Sequence, residues 1–486
     1  MRQIIKFPKW TEKYMERYSI KIFTTQIKIA IVDGSKTKNY QGGDSLMAKK
    51  DTKLVQLSKI VSEMADDLRI EGLDMEFFDV FEEKAENLTD SRQQSKVKHK
   101  MEDVIAIVFF ALLAGEDEWI EIEYFAIDQR DVLKKYLKLP NGIPSHDTLE
   151  RVISIIEPDE LQDFLVDTLR AVIMRATKEM DMPLYTNEEL GIRVSDIVAI
   201  DGKETCSTGN PKADNEQDRR NLNELNVQST EYGITLSSTR IDEKTNEIPE
   251  TQKVLKKLDL RGCIVTADAL NTQKETARSI VKDAHADYCL ALKANQKNAY
   301  TDVVEYFQSS DIRKELCSQK NSWRKEKEIF TDKTVEREYY ISDDIKWFSD
   351  KKLWTGLKSI GYEKKKIKKA DGETVMEERY FLCSFHADAE LFSIVVRRHW
   401  HIENLLHWVL DVTFKEDRLS TREKKALHNI GLIRRFVLSL LKILKEYYGN
   451  ISYKQIRRRI GRTFEKQIPV IFSVIKELYD QGNDMK

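Results

Sequence analysis

The chain has 486 residues, of which 41% are apolar and 9% aromatic, enough to bury the cores of about two to four ordinary domains and unlike a disordered chain. Eighty Lys plus Arg stand against 82 Asp plus Glu, a net charge of −2 that excludes a uniformly polybasic binder and leaves only local patches to look for. Five cysteines with no CxxC pair argue against a disulfide framework or a thiolate zinc site and fit a reducing cytosol.

Residues 1–50 are basic and irregular, with Gly42-Gly43 near their end and a second methionine, Met47. Their basic residues follow no face or period, which favours a frayed tail or an upstream start over a DNA-touching arm. No apolar core with a small-residue cleavage site precedes the rest, so nothing indicates export. From 53 to 182 the pattern is helical: LVQLSKIVSEMADDL, Val104–Ala114 and Leu161–Met174 carry apolar residues at three- and four-residue steps. The run Val104–Ala114 is bounded by Asp103 and Glu116 and is far short of the roughly 20 residues a bilayer needs, so it reads as a buried core helix. Between Val132 and Ile156, Pro140-Asn141-Gly142 breaks the chain. Asp147 then stands three residues before Glu150, the spacing of a capping box that starts a helix. Helix, turn and helix is the outline of a DNA-reading motif and equally of a plain helical corner.

Around Val194 the period changes. VSDIVAID, YGITLSSTRI, CIVTADA and DYCLALK are short β-branched runs, separated by helix-like IPETQKVLKKL and TQKETARSIVKDA. Strands alternating with helices predict an α/β layer with a mixed or parallel sheet. A charged stretch with strand-like pieces follows to about Asp388, then one long helix from Ala389 to about Leu410 and a helical end. The predicted organisation is an irregular extension (1–50), a helical N-terminal domain (51–190), an α/β domain (191–415) with an insertion at about 297–388, and a basic helical segment (416–486).

Three carboxylates stand out by position. Asp201 and Asp268 each close an apolar run, IVAI and IVTA, where the carboxyl ends of strands converge loops on one crevice. Two carboxylates held together repel, and a hard divalent cation such as Mg²⁺ relieves them with oxygen ligands to spare. The third is Glu403, in RRHWHIENLLHWVLD, where His399, Glu403, His407 and Asp411 fall at four-residue steps along one helical face. A zinc site is the competing reading of those histidines, but HExxH is absent and no cysteine lies nearby. Taken singly each residue is better explained as a turn former or a solvated helix position. Taken together they sit where metal-bridging carboxylates belong.

The blocks IVAIDGKE (197–204), IVTADALNTQKETA (264–277), ALKANQ (291–296) and RRHWHIENLLHWVLDVTFKED (397–417) resemble the signature blocks of DDE transposases of bacterial insertion sequences, the H-repeat-associated subgroup in particular. LLAGEDEWIEIEYF (112–125) and LPNGIPSHDTLERV (139–152) are similar to that subgroup's N-terminal domain, so the likeness runs from about Asp90 to Lys442. The resemblance implies a ribonuclease H-like mixed sheet flanked by helices, a mostly β insertion, a preceding all-α domain and a helical C-terminal part. It implies a catalytic, metal-binding triad of Asp201, Asp268 and Glu403 with Mg²⁺ or Mn²⁺. It further implies DNA contacts from Lys203, Lys293, Asn295, Gln296, Arg397, Arg398, His399, Trp400, Asn404 and His407, with Trp408 and Asp411 in the same helix signature. The partners implied are double-stranded DNA, both element ends and target, bound by a homodimer in the bacterial cytoplasm at the nucleoid. Cys206 departs from the arginine usual there, and Thr245 from a serine.

The chemistry so implied is two-metal phosphoryl transfer: hydrolysis of a phosphodiester, then attack of the freed 3′ hydroxyl on target DNA. Basic surface for DNA is expected from two runs. Residues 417–466 hold fourteen Lys or Arg against four acidic residues, and Lys351–Ala370 holds eight lysines against Glu363. Trp400 and Trp408 have the ring faces to stack on an unpaired base, with buried packing an equal reading for Trp408. Two rivals remain open on the sequence: a nuclease of the same fold that cuts without joining, and an inactive DNA-binding relic, for which Cys206 speaks.

Overall fold

The structure, a computed structural model, describes residues 85, 87–178, 183–209, 219–241, 246–418, 421, 423–445, 448–449 and 451–471. The readings for residues 1–50, for the helical run 54–68 and for Thr245 lie outside them. The helices in chain order begin with α1 (Met101–Ala114), α2 (Trp119–Asp128), α3 (Arg130–Leu133), α4 (His146–Ile155) and α5 (Pro158–Lys178). After the hairpin β1 (Tyr185–Asn187) and β2 (Ile192–Val194) come β3 (Asp196–Thr205), β4 (Leu222–Ser229), β5 (Thr235–Arg240), α6 (Glu247–Lys257), β6 (Cys263–Ala267), α7 (Lys274–Lys282) and β7 (Asp287–Leu292). The insertion supplies α8 (Lys297–Gln308), α9 (Ser310–Ser318), β8 (Trp323–Ile329), β9 (Lys333–Ser342), β10 (Ser359–Lys369) and β11 (Thr374–Cys383). Last are α10 (Ala389–His399), α11 (Trp408–Thr413), α12 (Lys424–Ile443) and α13 (Tyr453–Arg462).

The apolar run Val104–Ala114 makes most of α1, in which every residue but Glu102 is buried. A helix apolar all round belongs inside, and α1 lies against α2, α4, α12 and α13. Its one buried acid, Asp103, accepts the backbone N–H groups of Lys138 and Leu139, both at 3.2 Å, which is how a carboxylate is accommodated there. The helix stops at Gly115, whose φ of 107° is cheap only for glycine.

The helix-turn-helix outline does not form. The element before the turn is a single turn, α3, and α4 turns Leu149, Val152 and Ile153 into the core against α1, α2 and α12. Nor does Asp147 cap α4. The helix starts two residues earlier, at His146, whose backbone N–H donates to Glu123 of α2 at 2.9 Å.

The expected mixed sheet is present, nine-stranded among the described residues, in the order β5-β4-β3-β6-β7-β11-β10-β9-β8. Only β3–β6 and β6–β7 pair in parallel. The insertion is mostly β, and β11 pairs antiparallel with β7, so it lengthens the same sheet. One apolar core joins α1, α2, α4 and α5 to α12 and α13, so the N-terminal helices and the C-terminal segment form one layer.

That layer is pinned by buried charge. Arg457 of α13 pairs with Asp117 at 2.6 Å, donates to the Leu112 and Thr413 carbonyls at 2.7 and 2.8 Å, and stacks on Phe414. Removing one partner of such a pair strands the other in the interior. Arg457→Ala is therefore expected to cost about 3–5 kcal/mol of stability. Lys454→Ala, on the exposed side of the same helix, should stay within about 0.5 kcal/mol. Urea unfolding midpoints of the two variants check this.

Candidate active site

Asp201 does not end its strand. It is followed in β3 by Gly202 through Thr205, which go on pairing with β4, while the parallel partner β6 stops at Ala267 opposite Ile200. Asp201 therefore stands where β3 loses its neighbour on one side, at the point where parallel pairing gives way to antiparallel. Asp268 follows Ala267 directly, so the two aspartates leave neighbouring parallel strands at adjacent positions. Strand alternation puts Asp201 and Lys203 on one face, and their register partners on β4 are Asn226 and Glu224.

The predicted single long helix is broken. α10 ends at His399, Trp400 forms a turn, and Glu403–His407 winds as a π-helix before α11. A π segment offsets the residues after it from the four-residue ladder, and such segments recur at functional sites. The result is that Glu403, His407 and Asp201 converge. His407 Nδ1 lies 3.2 Å from Glu403 Oε2 and 3.7 Å from Asp201 Oδ2, and one donor atom from each residue falls within 4.8 Å of the others. Among the described residues this is the one such group able to hold a metal ion. His399 lies elsewhere, near Asp268; burial pushes its pKa down to about 4, and its Nδ1 is buried without a hydrogen-bond partner.

The electrostatics follow from crowding of like charge. Burial, together with the charges of Asp268, Glu247 and Glu403, raises the Asp201 carboxyl to about 7. Glu247 was not among the predicted residues. It opens α6 and packs against Gly202, where a Cβ would fall 2.1 Å from its Oε1. Asn271 holds it there: Thr251 donates to Asn271 Oδ1 at 2.7 Å, and Asn271 Nδ2 donates to Glu247 Oε2 at 2.8 Å and to Asp268 Oδ1 at 3.2 Å. Glu247 lies two residues after Thr245, and no local spacing sets it against Asp201.

The predicted DNA contacts fare differently from one another. Lys203 is buried and paired with Asp411 at 2.7 Å and Glu416 at 3.3 Å; burial alone would lower its pKa, but Glu416 and Asp411 hold it above the usual range. Arg397 is bound by Glu326 and Glu328 of β8, and Arg398 by the buried Glu231. Asn295 donates to the Ala269 carbonyl at 2.6 Å, and Gln296 to the Thr272 carbonyl at 3.1 Å, so both fasten the loop after Asp268. Asn404 is exposed and donates to the Trp400 carbonyl at 2.9 Å. Lys293 is exposed at the end of β7, the same sheet edge as the aspartates. Trp400 and Trp408 are 45% and 59% exposed beside Glu403, with the Arg379 guanidinium over the Trp400 ring at 4.6 Å.

Both basic runs are partly consumed within the chain. Lys365 and Lys369 pair with Glu377 and Glu373, and Lys325 of β8 pairs with Glu338, forming a ladder of opposite charges across strands. In the C-terminal run Lys424, Arg434, Arg435, Lys442 and Arg457 are buried. Lys454, Arg458, Arg459, Arg462 and Lys466 remain exposed.

Two family models match this architecture: a transposase DDE domain over residues 193–440 and a DDE-associated domain over residues 83–168. The chain belongs to the DDE transposase family. A putative transposase YncI of Escherichia coli O157:H7 is 31% identical over 78% of this chain and 92% of its own length. The H repeat-associated putative transposase YhhI of Escherichia coli K12 is 30% identical over 78% and 94%. A solved piggyBac transposase synaptic complex with hairpin DNA aligns over 91% of this chain and 87% of its own at 12% identity, with a TM-score of 0.33, a likeness too distant to place any element. Among the described residues of this transposase-family chain, no helix is long and apolar enough to cross a membrane.

The raised Asp201 pKa makes a stability claim. Between its ordinary value near pH 4 and about 7, the folded chain keeps a proton that the unfolded chain releases, so the metal-free fold loses stability as pH rises through that window. Above it the loss is complete. Asp201→Asn is expected to raise metal-free stability at pH 8 by about 1–2 kcal/mol, with the difference from wild type shrinking towards pH 4. Chemical unfolding of both proteins across that range, in chelator, checks the sign.

Proposed function

We propose that the chain is the transposase of an insertion sequence, cutting element ends and joining them to target DNA by divalent-cation-dependent phosphoryl transfer. The observation that carries the reading is that Asp201, within β3, gathers with Glu403 of the π-helix while Asp268 follows the end of the neighbouring parallel strand, in a chain that spans nearly the whole of its putative-transposase relatives. An oxygen-rich donor set under like-charge repulsion, with one carboxyl raised to about 7, fits a hard divalent cation such as Mg²⁺ or Mn²⁺. Asp201, Asp268 and Glu403 would hold the ions, which supply an activated oxygen nucleophile and neutralise charge at the leaving oxygen.

The chain's own residues do the rest. In the first step a water oxygen bonds to phosphorus, the bond to the 3′ oxygen breaks, and that oxygen is protonated. In the second the freed 3′ hydroxyl oxygen attacks a target phosphorus and displaces another 3′ oxygen. Lys293 is placed to meet a phosphate at the same sheet edge. Trp400 and Trp408 present ring faces on which an unpaired base can stack. The exposed stripe of Lys454, Arg458, Arg459, Arg462 and Lys466 suits the DNA backbone, and two copies on DNA would pair the two ends. Lys203, Arg397 and Arg398 act by holding the catalytic strand and helix in place.

Cys206 supports no special role for the missing arginine. Its backbone N–H donates to Asp417 at 2.8 Å, and Lys203 is already 3.8 Å from that same carboxylate. The test is a strand-transfer assay with a donor end carrying a free 3′ hydroxyl, taken from the DNA that flanks the gene. Wild type should join it to a plasmid in Mg²⁺ or Mn²⁺, and Asp201→Ala, Asp268→Ala and Glu403→Ala should each lose at least about 10³-fold. Cleavage without joining would instead favour the nuclease, and DNA binding without either would favour the relic.

A further inference from the structure

Behind the carboxylates lies a chain of buried hydrogen bonds whose polarity can be read from its far end. Arg435 of α12 has its Nη2 on Glu224 at 2.9 Å and its Nη1 on Glu416 at 3.1 Å, and Glu224 is engaged again by His428 Nδ1 at 2.5 Å. Gly431, one turn earlier, leaves room for the guanidinium, since a Cβ there would fall 2.9 Å from Nη1. With its fork held by two carboxylates, Arg435 has Nε left, and Nε donates to Asn226 Oδ1 at 2.8 Å. An arginine cannot accept, so the amide oxygen of Asn226 must face it and the amide nitrogen must face away. That nitrogen lies 3.4 Å from His407 Nε2. Two N–H groups cannot face each other across this gap, so His407 Nε2 is the acceptor and carries no proton.

A neutral imidazole without a proton on Nε2 carries it on Nδ1, the atom 3.2 Å from Glu403 Oε2 and 3.7 Å from Asp201 Oδ2. We infer that His407 is a positioning residue, a donor fixed by Arg435 and Asn226 that holds the Glu403 carboxylate, and that it is not itself a metal ligand. The inference deepens the function proposed above, in that it assigns the group orienting one of the three metal-holding carboxylates. Ligation by Nδ1 would require the opposite tautomer, with Nε2–H pressed against the Asn226 amide. Arg435, Asn226 and His407 are all nearly inaccessible to bulk water, which disfavours reversal of the polarity. An outer hydrogen bond of this kind is commonly worth 10–100-fold in metal affinity.

The test uses the full chain and Mn²⁺ alone, without DNA. In metal-free protein labelled with ¹⁵N-histidine, His407 should give a protonated Nδ1 and an unprotonated Nε2, its signals assigned by their loss in His407→Asn. Asn226→Asp keeps the shape but presents an acceptor, and should place a proton on Nε2. His407→Leu should weaken Mn²⁺ binding about 10–100-fold, and His407→Asn, whose amide can donate from near the Nδ1 position, should recover most of it. Pulsed electron paramagnetic resonance of the Mn²⁺ complex should show no directly bound nitrogen. A protonated Nε2 in wild type, a nitrogen-ligated Mn²⁺, or unchanged Mn²⁺ affinity in His407→Leu would overturn the inference. Failure of wild type to join strands, with these results as expected, would overturn the proposed function and leave the inference standing.

Discussion

Like-charge repulsion is the constraint on which the rest of this structure depends. Asp201 is forced towards Asp268 by the register of β3 on β6 and towards Glu403 by the π segment, and Glu247 is added from the start of α6. Left alone, such an arrangement would push the strands apart or hold a proton, and the high pKa of Asp201 comes first from burial and then from those neighbouring charges. A fold retains such a cost where a site requires it, and surrounding structure must supply the difference.

Two buried frameworks supply it. On one side Asn271 bridges Glu247 and Asp268, fixed in turn by Thr251. On the other, Lys203 and Arg435 bring positive charge within the layer between the sheet and α12, matched to Glu224, Asp411 and Glu416. The second framework explains why α12 and α13 are built into the core of the N-terminal helices: the helices that carry Arg435 and Arg457 cannot drift without stranding buried charge. The acidic site and the helical layer are therefore mechanically one unit.

Much of this was legible in the sequence because local period and strand-end chemistry are local facts. The α1 core helix, the order of strands and helices and the strand-like pieces of the insertion follow from runs a reader can see, while the pairing of Asp201 with Glu403 came from the family resemblance. What could not be read depends on contacts between distant segments. The basic count in the C-terminal run suggested a DNA surface, yet whether Arg434 and Arg457 face water or Asp117, and Arg435 water or Glu224, is decided by how α12 and α13 pack. The capping box at Asp147 lost to a carboxylate from α2, and the helix-turn-helix outline failed because the turn is preceded by only four helical residues. The four-residue ladder from His399 to Asp411 assumed a straight α-helix, and one π segment was enough to send His399 to Asp268 while keeping His407 with Glu403.

The central claim is that three carboxylates from distant parts of the chain form one cation-holding set. The most direct measurement is Mn²⁺ binding by calorimetry at neutral pH, in full-length wild type and in Asp201→Asn, Asp268→Asn and Glu403→Gln separately. The account predicts that each neutral substitution weakens binding by about tenfold or more. Wild-type affinity in Asp268→Asn or in Glu403→Gln would contradict it, since that carboxylate would then lie outside the set.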